Sequence, residues 1–377
     1  MLAPLNGQHP LIRLRDMFDL TGEIICGKLD ERSTEQARRL INAAAELDVE
    51  VTSGTDLAGW LKHYRLAFQA LDLPMMLGET PQAGPDSLGE FVAGSGKTLD
   101  WAGVQKLADR QKAEVVFFAA ADVAYVELYG RWYVKSILKH CDVSCLVVVH
   151  VIGGRSELPS IAKSLGIADE RFVLSGDDFD AAAVRTLCHD TPSKGLICKP
   201  VAHYQSVRFQ NLGALTSGLK RRVFVSDIDL LLQRGVRDLL ERCENADVVF
   251  NENLGNANPG SRLTANLLLV KPGANASVML RFLQAYLTKA LGGAEVSRWI
   301  DQFGLVMARH HLLRHGNEPR IEYFDTASDI NNVMYRSFEK NPFRFLSLYH
   351  GFDTSTLESE EPEVVPKPER RKKRKAG

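Results

Sequence analysis

Val115-Val116-Phe117-Phe118-Ala119-Ala120 is an unbroken apolar run, and a second, Cys145-Leu146-Val147-Val148-Val149-His150-Val151-Ile152, follows it and ends in Gly153-Gly154. Between them, Val123 to His140 carries Tyr125, Leu128, Trp132, Ile137 and Leu138 as the apolar positions of a helix. A strand that is apolar at every residue, not at alternate ones, is covered on both faces, which is the condition of a parallel sheet. The same alternation continues. Ile161–Leu165 is expected as a short helix, Arg171–Leu174 as a strand, Tyr204–Leu219 as a helix, Arg222–Ser226 as a strand and Val236–Arg242 as a helix. Asp247–Phe250 and Ala265–Val270 are expected as strands, and Ser277–Ala290 as a helix. The pattern predicts an α/β fold, a mostly parallel sheet whose crossover helices lie on both faces.

Outward from this block the texture changes. Residues 1–77 are expected to form an N-terminal helical region: Ala37, Leu40, Ile41, Ala44 and Leu47 recur at helical spacing after Ser33-Thr34, and Trp60, Leu61, Tyr64, Leu66 and Phe68 after Asp56. Residues 78–112 are expected as a linker and lead-in helix, with Pro81, Pro85 and several glycines in the linker. Gly94-Ser95-Gly96-Lys97-Thr98 imitates the end of a phosphate-binding loop, but Phe91 stands where the first glycine belongs and no apolar strand precedes it. The main domain is placed at 113–355. The tail, 356–377, contains Arg370-Arg371-Lys372-Lys373-Arg374-Lys375 without an apolar face, and is expected to be disordered. It is either a solvated tail or a contact for an anionic membrane surface or polyanionic partner.

The 377 residues hold 46 Lys+Arg against 47 Asp+Glu, a net charge of −1, which gives no overall pull toward nucleic acid. The cysteines Cys26, Cys141, Cys145, Cys188, Cys198 and Cys243 form no CxxC pair and no zinc-ligand set, and are expected as reduced thiols. With no signal-peptide pattern and no membrane-spanning run, the expected location is cytoplasmic, with peripheral membrane contact through the tail as an option.

Chemistry concentrates in Arg222-Val-Phe-Val-Ser-Asp-Ile-Asp-Leu-Leu-Leu232. If the strand continues through it, period-two alternation points Asp227 and Asp229 the same way from a strand end, where ligands of open α/β sheets bind. Paired carboxylates repel unless a cation joins them. Oxygen ligands suit Mn²⁺ or Mg²⁺, which keep substrate phosphates in their shell. The alternative is that one aspartate merely caps the next turn.

This segment and its surroundings, from Glu114 to Phe352, resemble the GT-A glycosyltransferases, which use nucleoside diphosphate sugars. The matching pieces, in family order, begin with Val115–Ala121, Asp122 and Tyr125, with Ser136-Ile137-Leu138 beyond. Lys199–Phe209 with Tyr204 and Arg208 come next, then the Asp227-Ile228-Asp229 motif and Leu263–Val270 with Phe282-Leu283 after it. Trp299-Ile300-Asp301-Gln302 and Ser347-Leu348-Tyr349-His350-Gly351 complete the set. The resemblance implies a donor site at Ala120, Asp122, Tyr125, Arg208, Ser226 and Asp227, with UDP-sugars favoured, and a metal held by Asp227, Asp229 and His350. Tyr125 would hold the base, or else packs its helix. Arg208 would reach the diphosphate, or else is a surface arginine. Asp301 approaches the sugar or acceptor, or else caps its helix.

Asn266 replaces a glycine that the family often has, and Phe352-Asp353-Thr354 replaces the basic and aromatic residues that commonly follow His350-Gly351. An inverting enzyme needs a general base on the acceptor hydroxyl, for which Asp301 is the first candidate and Glu252 the second. A retaining one needs none, and the resemblance leans toward retaining relatives. The polar loop from Asn251-Glu252-Asn253 to Gly260 is read as acceptor-side, the acceptor being a glycan, lipid or protein. Two other readings compete. A sugar-nucleotide nucleotidyltransferase needs a glycine-rich basic loop where Ala119-Ala120-Ala121-Asp122 stands. A scaffold with a degenerate transferase domain would act through its helical region and basic tail.

Overall fold

The computed structural model describes residues 100–180, 201–253, 263–292, 300–330 and 343–348. The N-terminal helical region, the imitation phosphate loop, His350 and the basic tail lie outside the described residues. So do Cys26, Cys188 and Cys198. The described cysteines are free thiols, Cys145 and Cys243 buried and Cys141 half-buried.

The first apolar run is β1 (Val115–Asp122), followed by α2 (Val123–His140) and β2 (Cys145–Ile152), with α1 (Trp101–Arg110) ahead of them. Then come α3 (Leu158–Leu165), β3 (Phe172–Gly176), α4 (Val201–Gln210), α5 (Leu215–Gly218), β4 (Arg222–Ser226), β5 (Leu230–Leu232) and α6 (Arg237–Arg242). The chain continues through β6 (Val248–Glu252), β7 (Leu263–Val270), α7 (Ala274–Gly292), α8 (Ile300–His315), β8 (Ile321–Tyr323) and β9 (Phe345–Ser347).

Seven strands make one sheet in the order β3-β2-β1-β4-β7-β6-β8. Pairing is parallel from β3 through β4 and between β6 and β8, and antiparallel where β7 lies between β4 and β6. The sheet is therefore mostly parallel, as expected, with a reversed strand inserted. β5 and β9 pair antiparallel as a separate two-stranded ribbon.

Alternate residues of β1 feed two cores. Val116, Phe118 and Ala120 pack among residues of α1, α4, α7 and α8. Val115, Phe117, Ala119 and Ala121 pack among residues of α2, α3 and α6. Helices on both faces explain why the buried lengths of β1 and β2 tolerate no polar residue except His150. The lead-in helix α1 belongs to this core: Trp101 is buried, its ring lies 5.1 Å from Phe118, and its indole N–H donates to Asn211 O at 2.6 Å.

That last bond accounts for one difference from the sequence reading. Tyr204–Leu219 is not one helix but α4, a 3₁₀ turn over Asn211–Ala214, and α5. The Asn211 carbonyl is given to Trp101, and Gly213 packs directly against the Gln284 carboxamide of α7. Tertiary contacts thus interrupt the ladder. At α3 the helix ends on Gly166 in the left-handed conformation (φ 60°), whose N–H closes on Ala162 O.

Candidate active site

The sheet order places a topological switch at β1. The chain moves from β1 to β2 to β3 on one side, then returns to β4 on the other. The crevice outside the carboxyl ends of two such strands is where open α/β sheets bind ligands. Here those ends carry Asp122 and Asp227.

Asp122 closes β1 and caps α2, its Oδ1 accepting from Tyr125 N at 2.9 Å. Tyr125 is half-buried, its ring 5.4 Å from that of Tyr129. Burial first, then the Asp229 carboxylate, Tyr129, and the Asp122 and Asp227 carboxylates, push the Tyr125 hydroxyl up to about 12. Three of the expected site carboxylates therefore act on one phenol.

β4 stops at Ser226. Asp227 to Asp229 form a turn, closed by Leu230 N donating to Asp227 O at 3.3 Å, so strand alternation is not what aligns the two aspartates. The turn is held from outside: Asp227 N donates to Asn266 O at 3.0 Å, and Leu348 N, beyond β9, donates to Asp229 O at 2.9 Å. The two carboxylates end within electrostatic reach of each other and of Arg208. Burial, then repulsion from Asp227, raise the Asp229 carboxyl, against the pull of Arg208.

Arg208 is not a surface arginine. It is 4% exposed, and its fork donates to Asp227 Oδ1, to Ala265 O at 2.9 Å and to Asp301 Oδ2 at 3.5 Å. Val223 and Val225 face the α4 side of the sheet. Asp227, in the turn that follows, meets Arg208 of that helix. Asp301 opens α8, 2% exposed, and its Oδ1 also accepts from Gln302 N at 2.9 Å. Burial, opposed by Arg208, lifts the Asp301 carboxyl to about 7.

The raised Asp301 carboxyl has a consequence for stability. Between its ordinary value of 3.8 and about 7, the folded chain keeps a proton on Asp301 that the unfolded chain has released. Stability from this group therefore falls as pH rises through that window, with a limiting slope of about 1.4 kcal/mol for each step of one in pH, and is level above it. Asp301→Asn is expected to remove this group's share of the slope and leave that of Asp229, which burial also raises. Urea midpoints of both proteins across pH 4.5–7.5 check this, and parallel curves would refute it.

Several expected site residues lie elsewhere. Ala120 sits within β1 with its methyl in the core, because the strand runs on to Asp122. Ser226 is buried on the α2 side, its hydroxyl 2.9 Å from Tyr133 Oη, so its side chain faces away from the crevice. Glu252, at the end of β6, pairs with Arg309 of α8 at 3.5 Å, and Arg309 also donates to Tyr323 Oη at 3.2 Å. Glu252 is thus drawn toward β8 and not into the carboxylate cluster. Asn266 has a clear role. Its Oδ1 accepts from Asn251 at 2.8 Å, its amide donates to Ser347 Oγ at 3.2 Å, and its carbonyl holds Asp227. Sequence reading notes Asn266 only as a replaced glycine. The signal that could have found it is that Asn251 and Asn266 each stand beside an apolar run, Val248–Phe250 and Leu267–Val270.

No protein-family model and no curated protein matches the sequence. Among solved structures, mouse xyloside xylosyltransferase 1 in its apo form is similar at 11% identity, over 63% of this chain and 99% of that one, with a TM-score of 0.39. The galactosyltransferase LgtC in complex with donor and acceptor sugar analogues is similar at 15% identity, over 57% and 74%, with a TM-score of 0.35. The glycosyltransferase GlyE of Streptococcus pneumoniae TIGR4 is similar at 15% identity, over 57% and 46%, with a TM-score of 0.34. Likenesses this loose carry no residue role across. No described helix is long and apolar enough to cross a membrane.

Proposed function

We propose that the chain is a GT-A-type glycosyltransferase that moves a sugar from a nucleoside diphosphate sugar, UDP-linked for preference, to an acceptor hydroxyl. The observation that carries this reading is the charge balance at the switch point. Among the described residues, Asp227, Asp229 and Asp301 gather around Arg208; burial raises the carboxyls of Asp229 and Asp301, and a cation would favour their ionised forms, in which three carboxylates and one guanidinium sum to −2. A divalent cation cancels that sum. The donor set fits one: two carboxylates of one turn, with burial making the charged form of Asp229 costly until a cation arrives. Among the described residues no third ligand completes the set, and His350, the expected one, lies outside them. Mn²⁺ or Mg²⁺ bound there would neutralise diphosphate oxygens as a Lewis acid.

The protein's own groups supply the rest. Arg208 offers fixed positive charge in a buried setting, already oriented by two carboxylates and the Ala265 carbonyl. Tyr125 offers a half-exposed ring beside Asp122 for the base. Asp301, buried behind Arg208, suits positioning of the sugar better than proton abstraction from a mobile acceptor, which favours the retaining alternative. Asp122, the last residue of β1, is also the cap of α2, which leaves no room for a glycine-rich loop of the kind a nucleotidyltransferase uses.

Thermal melting with Mn²⁺ and UDP or GDP tests the reading. At a hundredfold excess over Kd, linkage adds about 2.7 kcal/mol, roughly 5–10 °C in Tm for a domain of this size. The rise in Tm is expected to vanish in Asp229→Ala. No rise with any nucleotide in the unaltered protein would support the scaffold reading instead.

A further inference from the structure

A second buried charged cluster stands at the carboxyl ends of β2 and β3, and the chemistry above makes no use of it. His150 of β2 lies with Nε2 3.0 Å from Asp177 Oδ2 and Nδ1 3.0 Å from Ser175 Oγ. Both His150 and Asp177 are buried. The other Asp177 oxygen accepts two main-chain N–H groups, Gly153 at 2.6 Å and Phe179 at 3.1 Å. Burial would raise the Asp177 carboxyl, but the bonds from His150, Gly153 and Phe179 outweigh it and hold it below the ordinary carboxylate range. Asp177 O also accepts from Arg155 N at 3.0 Å, and Arg155 Nε donates to Gly176 O at 3.1 Å. The Asp177 carboxylate, held in turn by His150, thus fastens Gly153, and the main-chain carbonyls of Gly176 and Asp177 fasten Arg155.

The position of that loop gives the cluster a purpose. Asp122 and Ile152 are register partners, so the loop leaves β2 directly beside the end of β1. Gly154 packs on Val123, the first residue of α2, where a Cβ would stand 2.9 Å from Val123 Cγ2. Gly153 has φ +72°, and a Cβ there would stand 2.6 Å from Phe179 O. Both glycines are required by the loop's own packing, Gly153 against Phe179 O and Gly154 against Val151 and Val123, so the shape of the loop beside the β1 end depends on them. From β2 across β1 to β4 is two strand spacings, about 10 Å. A nucleoside lies at such a distance from the pyrophosphate it carries. On its far side, Phe179 packs 5.0 Å from His203 of α4, the helix that bears Arg208.

We propose that His150 and Asp177 are positioning residues that hold the Gly153–Arg155 loop as the wall for the donor's nucleoside. The proposal rests on the transferase reading. It predicts that damage to the pair weakens the nucleoside's share of binding and spares the diphosphate's.

The test is isothermal titration of UDP and of inorganic pyrophosphate, at one fixed Mn²⁺ concentration, into the unaltered protein and three variants. Asp177→Ala is expected to weaken UDP about tenfold while pyrophosphate stays within about twofold. Asp177→Asn, whose oxygen can still accept from Gly153 and Phe179, is expected to recover most of the UDP affinity. Gly153→Ala strains the same loop without removing a buried charge, and is expected to repeat the Asp177→Ala pattern. It decides the matter if Asp177→Ala does not fold. Equal losses for UDP and pyrophosphate, or unchanged UDP binding in both Asp177→Ala and Gly153→Ala, would overturn this assignment and leave the transferase reading standing. An unaltered protein that binds neither UDP nor pyrophosphate would overturn both.

Discussion

Arg208→Met is expected to cost about 3–5 kcal/mol of stability, because it strips the counter-charge from buried carboxylates. The loss falls unevenly. The Asp227 side chain is 34% exposed and can recover solvation, whereas that of Asp301 is 3% exposed and cannot. Asp301 already holds its proton up to about 7, so in the variant it will simply stay protonated. The destabilisation should therefore be smaller at pH 5.5 than at pH 8, and Arg208→Met combined with Asp301→Asn should regain most of it. Urea unfolding of the single and double variants at both pH values measures this. Arg208→Lys keeps the charge but not the fork that spans Asp227, Ala265 and Asp301, and should fall between. If the double variant is no more stable than the single one, Arg208 is not holding Asp301 in the way described.

The second large effect is expected far from the crevice. Asp329 is fully buried and accepts from Arg242, from Arg344 Nε at 3.1 Å and from Asp325 N at 2.9 Å. The Arg242 side chain is 44% exposed, so its share is small. That of Arg344 is 6% exposed, and it also pairs with the exposed Asp238, at 2.7 Å. Asp329→Ala is expected to cost about 3 kcal/mol or more, chiefly by leaving the inner side of Arg344 uncompensated. It should also reach the site. Arg344 leads into β9, Phe345 N donates to Asp329 O at 2.8 Å, and Leu348 N, just past β9, holds the Asp229 carbonyl. The rise in Tm with Mn²⁺ and UDP should therefore shrink in Asp329→Ala even after its lower starting Tm is allowed for. An undiminished rise would show that β9 does not support the Asp227–Asp229 turn.

The sandwiched strands are legible in the sequence because burial on two faces leaves the runs of β1 and β2 apolar except at His150, a pattern needing no knowledge of partners. The acidic pair is legible for the opposite reason, as two charges directly after such a run. What stays hidden depends on contacts between distant residues. An apolar run does not declare its direction, so the reversal of β7 cannot be read from Ala265–Val270. The break after Gln210 depends on Trp101, 110 residues from Asn211. Sequence places Ser226 in the crevice because strand parity alone does not say which face α2 will cover. The burial of Arg208 is equally invisible: the hydrophobic pattern of α4 is weak, and its two carboxylate partners lie 19 and 93 residues away. His150 reads as one more strand position until β3 brings Ser175 and Asp177 beside it.

The reversed β7 also shapes how the molecule is assembled. As the chain leaves the ribosome, β1 to β4 can pair before Leu263 exists, and the edge then on offer is Arg222–Ser226, short and mostly apolar. An unpaired edge of that kind invites association with another nascent chain. When β7 arrives it seals that edge, and its Asn266 carbonyl fastens the amide of Asp227 in the same stroke. The step that covers this edge also fastens the first residue of the acidic turn, so copies made only as far as β4 would have neither the edge covered nor that amide held.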